Sequence, residues 1–571
     1  ELFVRGILET TRDFGFDTPS LIWDVYNVEA EALGARLVLF DDMAPAIDNV
    51  EPIIASEKDL ARLKTPDPRL AGRMPFVFEV LALSRELTGR PPTPCYCAPF
   101  TLAAQCMTFE KLVLAIKDDP EFVHKVMTFL VDEVLAPYCN AMIEAFPDAS
   151  VIDGSDAIAS LPFITQDMLE EFALQYIERL QNQCAVPVIC DNWWGDSYTD
   201  DKERFWELKL RATPPYFKIQ DPDLFKVGVA PAVAFAVRKD RPFVLGVDNN
   251  VLQRGPAEEI EKRIHEYMEA GAHTRRCVLY LCSLSAETPP AHVEAAIAAV
   301  ERFRAGERPH AGLRLSGRAE SGGETPAAAK AAAAHPAEAQ APADPARAET
   351  EEALDAIFDA VMDYDGDAVV KLVEGALADG VALGEILDDA LIAAMDDIGA
   401  LFGDGAIFVP EMLLAARAMK AGLAVLRPIL TRTDVKPKGT VMLATVQGDV
   451  HDIGKNLVGM MLEGAGYSVV DLGVNVDADA IMAKAEEIGP DVVGLSALLT
   501  TSMPQMAKTV AAFKERALPY PVIVGGAPVT RDFAQAIGAD GYGENAPEAV
   551  ARVNAFVEAA GGGGKRGECA A

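Results

Sequence analysis

The sequence predicts an α/β protein: a (β/α)8 barrel, then a helical bundle, then a smaller open sheet of Rossmann-like topology. Three observations predict it. Residues 1–304 alternate short apolar runs with amphipathic helical runs, the pattern of parallel strands joined by crossover helices. Residues 349–435 keep a helical period with no strand-like run. From 436 to 560 apolar strand-like runs return, each followed by a glycine- or serine-containing turn and a helical run. Sheets of that kind bind ligands at the carboxyl ends of their strands.

The chain has 571 residues, too many for one hydrophobic core. Composition places the boundaries at 1–304 for the barrel, 305–348 for a linker, 349–435 for the bundle, 436–560 for the open sheet and 561–571 for a disordered tail. The formal net charge of -36 argues against nucleic acid and anionic membrane surfaces as partners. No apolar run is expected to span a bilayer, and Glu1 to Thr11 has no signal-peptide pattern. The nine cysteines are scattered rather than spaced as in a small disulfide scaffold, which predicts a reduced, cytoplasmic protein.

In the barrel segment the strand candidates are Pro94–Tyr96, Ser150–Ile152, Val186–Cys190, Tyr216–Ile219, Phe243–Val247 and Val278–Cys282, with helices such as 166–182 and 257–270 between them. A doubly wound sheet is the alternative reading of the same alternation. Residues 305–348 are rich in Ala and Pro and hold no Phe, Tyr or Trp, so they read as a semi-stiff tether. Four helices follow, at 350–361, 366–378, 383–402 and 410–431, the last with Pro410 in its first turn, where proline is tolerated.

The open-sheet segment carries the most specific motif. After the apolar run Thr440–Val446 comes Gly448-Asp449-Val450-His451-Asp452-Ile453-Gly454, then a helical run. Downstream, Ser496-Ala497-Leu498 and Gly525-Gly526 also follow strand-like runs. These three elements resemble the Asp-x-His-x-x-Gly, Ser-x-Leu and Gly-Gly signatures of the methionine-synthase type of corrinoid-binding protein. The resemblance implies cobalamin, or a related corrinoid, bound with His451 on cobalt. It implies Asp449 and Ser502 as the relay behind that histidine, since a ligating imidazole usually donates its other nitrogen to a carboxylate. Ser496, Leu498 and Thr500 would line the slot for the displaced nucleotide tail, with Gly454, Gly525 and Gly526 admitting it closely. The bundle resembles the helical cap of the same systems, so Phe408, Met412 and Leu413 are candidates to cover the upper corrin face.

The first 304 residues resemble the uroporphyrinogen decarboxylase superfamily, through Ala98-Pro99-Phe100-Thr101-Leu102, Asp153-Gly154-Ser155-Asp156, Gly246-Val247-Asp248 and Thr288-Pro289-Pro290. Its zinc methyltransferases carry His-x-Cys after one strand and a second Cys after the last. Here Val188 replaces the histidine, Cys190 keeps the first thiol and Cys282 the second. The resemblance therefore implies Zn²⁺ on Cys190 and Cys282, with Asp191 the leading third ligand and Asp153, Asp156 or His273 as others. Zinc of this kind needs three protein ligands and an open position. Trp193 and Trp194 directly follow and offer the wall of a small dry pocket, or a surface for the corrin face.

A barrel and a corrinoid module on one chain resemble the bifunctional chloromethane:corrinoid methyltransferases. The implied activity is transfer of a methyl group from a small donor, chloromethane or another methyl halide foremost, to the chain's own corrinoid. Methanol, a methyl sulfide, a methylamine or a methoxy-aromatic would fit the same architecture. Onward transfer to tetrahydrofolate through a separate methyltransferase is implied, with a reductive activator for the cobalt. Methyl transfer to or from a thiol is the alternative reaction, and a non-catalytic corrinoid carrier or sensor is the alternative of another class. No arginine-rich N-terminal element is present to hold a porphyrinogen's carboxylates.

Overall fold

The computed structural model describes residues 2–17, 26–39, 45–47, 52–272, 274, 276–282, 284, 288–306, 345–403, 406–430, 437–449, 453–498, 502–526 and 528–561. The tether expected at 305–348 and the tail at 561–571 thus fall almost wholly outside the described residues.

The barrel segment begins with a short antiparallel pair, β1 (Leu37–Val38) and β2 (Ala46–Ile47). Six parallel strands follow: β3 (Cys95–Cys97), β4 (Ile152–Ser155), β5 (Val188–Cys190), β6 (Phe217–Gln220), β7 (Phe243–Val247) and β8 (Cys277–Leu281). They pair in sequence order as β3-β4-β5 and β6-β7-β8. Five of the six strand-like runs largely coincide with strands, while the expected Ser150–Ile152 meets β4 only at Ile152. One strand face is apolar and packs on the helices: Phe217 on β6 meets Trp206 and Phe235 at 5.6 and 5.1 Å between ring centroids. The alternate residues, Lys218 and Gln220, therefore turn the other way, into the barrel.

One expectation is corrected here. The continuous helix Pro120–Ala145 is long and apolar enough to cross a membrane by length and composition, but 56% of its apolar window is buried inside the molecule. Val123, Val126, Leu130, Val134 and Leu135 are buried in the barrel's core cluster, which is how a core helix uses such a stretch.

The bundle consists of Pro345–Met362, Gly366–Ala378, a continuous helix over 383–403, and Val409–Leu430. Its last helix has two apolar stripes. Val409 and Leu413, four apart, join the barrel's core cluster. Met412, Ala415, Ala416 and Met419 face the bundle's own core. Residues three and four apart share a helix face, so one helix serves two cores.

The open sheet runs β10-β9-β11-β12-β13, all parallel, with β9 (Thr440–Thr445), β10 (Ser468–Asp471), β11 (Val492–Ser496), β12 (Val522–Gly525) and β13 (Gly541–Gly543). Both faces are covered. Val441 and Leu443 of β9 pack toward the bundle, while Met442 and Ala444 pack under the helix Met503–Glu515 with Met506 and Val510. Sheets covered on both sides have continuous apolar strands, as β9 does.

Candidate functional site

The carboxyl end of the open sheet gathers the second and third sequence elements around the first. Asp449 is fully buried, and its Oδ2 accepts hydrogen bonds from Leu498 N–H and Ser502 Oγ–H, both at 2.7 Å. Its backbone is pinned too: Asp449 N–H donates to Val446 O, and Asn475 N–H donates to Asp449 O at 2.8 Å. Gly448 N–H meets Asn475 Oδ1 at 2.8 Å. The Asp449 carboxylate is thus held from the sheet side. His451 and Thr500 lie outside the described residues, as does His273.

The glycines divide into two kinds. Gly526 has φ of +128°, and a Cβ there would lie 1.9 Å from Ala497 O. That position accepts no side chain without moving the ends of β11 and β12 apart. A Cβ on Gly525 would lie 3.1 Å from Gly543 O. A Cβ on Gly454 meets nothing within 4 Å, so its side faces open space. Ser496 lies at the end of β11, half-buried, and its carbonyl accepts from Val446 N–H at 3.1 Å. Leu498 is exposed. The buried, hydrogen-bonded Asp449 and the exposed side of Gly454 at the carboxyl end of the sheet fit a bound corrinoid.

Of the cap candidates, Met412 is buried in the same cluster as Leu457 and Met461 from the helix Ile453–Gly464. Phe408 is half-buried and its N–H donates to Glu411 Oε2 at 3.1 Å. Leu413 differs from expectation. It packs into the barrel's core, because the opposite stripe of its helix already fills the bundle.

Inside the barrel the structure brings together a charged cluster that the sequence reading found only in part. Asp191, just past β5, receives Lys218 Nζ on Oδ1 at 2.9 Å and Tyr216 Oη–H on Oδ2 at 2.7 Å. Lys218 also lies over the Tyr280 ring, 4.7 Å from its centroid, and Tyr280 Oη–H donates to Gln220 Oε1. Asp153 on β4 stands beside this pair. Its Oδ1 is buried, and among the described residues no donor reaches it. Burial, then the nearby Asp191 charge, pushes the Asp153 carboxyl up to about 7, with Lys218 pulling the other way. Burial pulls Lys218 down, but Asp191 and Asp153 outweigh it and the net shift is upward. Strands β4, β5, β6 and β8 all contribute, so the cluster occupies the barrel interior.

Cys190, Asp191 and Cys282, the expected zinc ligands, are not gathered into one group among the described residues, and His273 lies outside them. Among the described residues no three His, Cys, Asp or Glu come close enough to hold a metal ion. Asp191 spends both oxygens on Lys218 and Tyr216. Cys190 shares its strand face with Gly154 and Tyr96 through the β3–β4–β5 register, and its Sγ lies 3.8 Å from Asn192 Oδ1. Cys282 Sγ lies 4.0 Å from Gln220 Oε1, on the Lys218 side. Burial raises both thiols, Cys190 well above its ordinary range and Cys282 to about 12. Adjacent strand residues point to opposite faces, which is why Cys190 and Asp191 do not converge.

The tryptophans are also placed differently from a pocket wall. Trp193 is buried and its Nε1–H donates to Asp156 Oδ2 at 3.3 Å. Asp156 accepts Thr101 N–H and Oγ–H at 2.9 and 2.8 Å, and burial against these bonds leaves its carboxyl at about 6. Asp156 therefore ties the loop after β4 to the start of the helix Pro99–Met107. Trp194 sets its ring edge-on to Phe163, 5.4 Å between centroids.

The two halves touch at several points. Arg254, at the end of the helix after β7, donates to Pro528 O at 3.2 Å and Thr530 Oγ1 at 3.0 Å, in the loop after β12. Pro162 O, in the loop after β4, accepts from Val409 N–H at 3.1 Å. Arg417 and Asp118 add an ion pair, with Nη2 to Oδ1 at 3.0 Å. Lys218, Tyr216, Tyr280 and Arg254 were missed in the sequence. Lys218 had a usable signal: a lysine between Phe217 and Ile219 in a barrel strand must face inward.

Comparison with known proteins agrees with both halves. Residues 1–191 match the family described as Uroporphyrinogen decarboxylase (URO-D), and residues 353–427 and 439–551 match two described as B12 binding domain. The chain is 39% identical over 209 residues to "Corrinoid protein DSY3155" of Desulfitobacterium hafniense, covering 36% of this chain and 97% of that one. It is 42% identical over 212 residues to "Trimethylamine corrinoid protein 2" of Methanosarcina mazei, covering 36% and 97%. Among solved structures it is similar to the methanol:cobalamin methyltransferase complex MtaBC of Methanosarcina barkeri, at 33% identity, 36% of this chain, 80% of that chain and a TM-score of 0.34.

Proposed function

We infer the donor chemistry from one premise: this chain belongs to the corrinoid-protein family, and it carries a uroporphyrinogen decarboxylase-like barrel on the same polypeptide. It is a corrinoid-dependent methyltransferase. A bound corrinoid supplies the cobalt nucleophile that takes up the methyl group, and that chemistry is the cofactor's own. The chain's residues bind and orient the donor, exclude water, and manage one proton at the departing atom.

We propose that the donor is a small methylated compound whose leaving atom is nitrogen or oxygen and keeps or gains a proton as the carbon–heteroatom bond breaks. The bonding pair stays with the heteroatom. One observation carries this reading: the inward cluster of Asp153, Asp191 and Lys218 on the barrel's inner wall. Lys218 is held charged by Asp191, and Asp153 is poised near neutrality, so the pair can hold or hand over a proton there. A halide needs no such proton and would leave beside a buried carboxylate. The names of the relatives, a trimethylamine corrinoid protein and a methanol:cobalamin methyltransferase, lean the same way.

A second reading keeps chloromethane as donor. It is favoured by the lack of a three-ligand metal cluster among the described residues, since a good leaving group needs no metal acid. Onward transfer to tetrahydrofolate by a separate enzyme accompanies either reading. The test is a donor panel: the reduced, cobalamin-loaded protein is mixed with chloromethane, methanol, methylamines and a methoxy-aromatic, and the corrinoid absorbance is followed. A response to amines or alcohols supports the proton-managed reading. A response to chloromethane alone overturns it.

A further inference from the structure

The barrel interior holds a carboxylate oxygen with no protein partner in view. Asp153 Oδ1 is buried, and no donor among the described residues reaches it. A buried acceptor left unmatched is costly, more so when charged, so such a group is retained where something else matches it. The neighbouring groups define what that is. Lys218, the nearest cation, already gives its Nζ to Asp191 Oδ1. Tyr216 Oη–H is spent on Asp191 Oδ2. Tyr280 Oη–H is spent on Gln220 Oε1. With Asp153 ionised the cluster carries one uncompensated negative charge, and the aromatic side chains of the cluster are Tyr216, on Asp191, and Tyr280, under Lys218. An aromatic face over a cation is itself favourable, as Lys218 over Tyr280 shows at 4.7 Å.

We propose that Asp153 is the specificity-determining residue for a monocationic, N-methylated amine, whose N–H donates to Asp153 Oδ1 inside the barrel. A protonated methylamine brings one positive charge, one N–H for the unmatched oxygen, and methyl groups for the ring faces. It also brings the proton that the departing nitrogen must keep. This rests on the proton-managed reading above and narrows it from heteroatom donors to amines. A neutral methanol would leave the charge unmatched, and a halide would oppose it.

The site is tested without corrinoid, so that binding is read apart from turnover. Trimethylammonium chloride is titrated into the full chain by calorimetry, with tert-butanol as a neutral ligand of similar shape and with sodium and potassium chloride as inorganic monocations. The expected result is binding of trimethylammonium, none of tert-butanol, and little displacement by sodium or potassium. Asp153→Asn is expected to weaken trimethylammonium by about 30-fold or more, the scale for removing one partner of a desolvated charge pair. Asp153→Glu is expected to recover part of it. Unchanged cobalamin binding and a far-UV circular dichroism spectrum like the parent's in Asp153→Asn show that the barrel and module remain folded. Equal binding to Asp153→Asn, or displacement by potassium as readily as by a second amine, overturns the inference. Methyl transfer from methanol in the donor panel, with no amine binding, would leave the proton-managed reading standing and remove only the amine.

Discussion

Arg254 of the barrel and Pro528 of the corrinoid module are 274 residues apart, yet Arg254 Nη2–H donates to the Pro528 carbonyl at 3.2 Å. The contact joins the end of the helix after β7 to the loop after β12. Arg254→Ala is expected to cost about 1 kcal/mol of docking, the ordinary net worth of such a hydrogen bond. Methyl transfer should slow about fivefold while cobalamin affinity stays unchanged. Small-angle scattering on variant and parent checks the docking, and an equal loss of cobalamin affinity would show that the contact does something else.

Asp449 is fixed by Leu498 and Ser502, so its effect on the cofactor should pass through the histidine two residues on. Ser502→Ala and Asp449→Asn are each expected to weaken cobalamin by about 10- to 100-fold, the usual cost of losing a group that orients a metal ligand. His451→Ala should abolish the histidine-ligated spectrum outright. Spectra of the three loaded variants that match the parent's would remove the relay.

Most of this was legible in the sequence. The six barrel strands, the bundle helices and the three corrinoid elements all rest on local periodicity and turn chemistry, which a single sequence carries. The interior cluster was half legible: Asp153 and Asp191 were visible as strand-end acids, but the partner of Asp191 is Lys218, 27 residues away. Pairing across a barrel depends on register between strands, and periodicity does not encode it. The same gap produced the zinc expectation. Cys190, Asp191 and Cys282 look like a ligand set by type and order, and it takes the pleat to show that Cys190 and Asp191 diverge.

Metal analysis follows from that divergence. Chelator treatment of the full chain is expected to leave donor binding and cobalamin binding intact. Elemental analysis of protein purified without chelator should find cobalt after loading, and no stoichiometric zinc that Cys190→Ala or Cys282→Ala removes. Zinc near one per chain, lost in both variants, would restore the thiol site.

The Asp153 carboxyl sits at about 7 in the fold, first through burial, then through Asp191, against Lys218. In the unfolded chain aspartate titrates near ~3.9. Between these values the folded state keeps a proton that the unfolded state has lost, so stability falls as pH rises across the window. Asp156, at about 6 through burial against its bonds from Thr101 and Trp193, adds the same sign. Cys95 and Cys190, which also neighbour Asp153, are raised by burial and stay neutral there. Melting temperatures from about pH 4.5 to 7.5 should therefore decline less steeply for Asp153→Asn than for the parent. Parallel declines would mean that Asp153 does not carry the shift.

Gly526 and Gly454 should separate fold from ligand. Gly526→Ala places a Cβ against Ala497 O at a φ of +128° and is expected to destabilise the module by about 2 kcal/mol or more. Gly454→Ala meets nothing within 4 Å among the described residues, so it should melt like the parent and bind cobalamin more weakly. Thermal melts with and without cobalamin distinguish the two, and a large loss of stability at 454 would contradict the open flank.

The helix Val409–Leu430 belongs to two cores at once, giving Val409 and Leu413 to the barrel and Met412, Ala415 and Met419 to the bundle. This bears on how such chains are inherited. A cut anywhere in this helix would strip one core or the other of part of its packing, while the Val409 N–H bond to Pro162 O is backbone to backbone and depends on where the helix begins, not on the side chain. An exchange of modules at the tether would therefore leave Val409 and Leu413 of the incoming helix to be matched to this barrel's core. The seam that has to travel with the barrel lies about a hundred residues further on, inside the bundle, at two positions of a single helix turn.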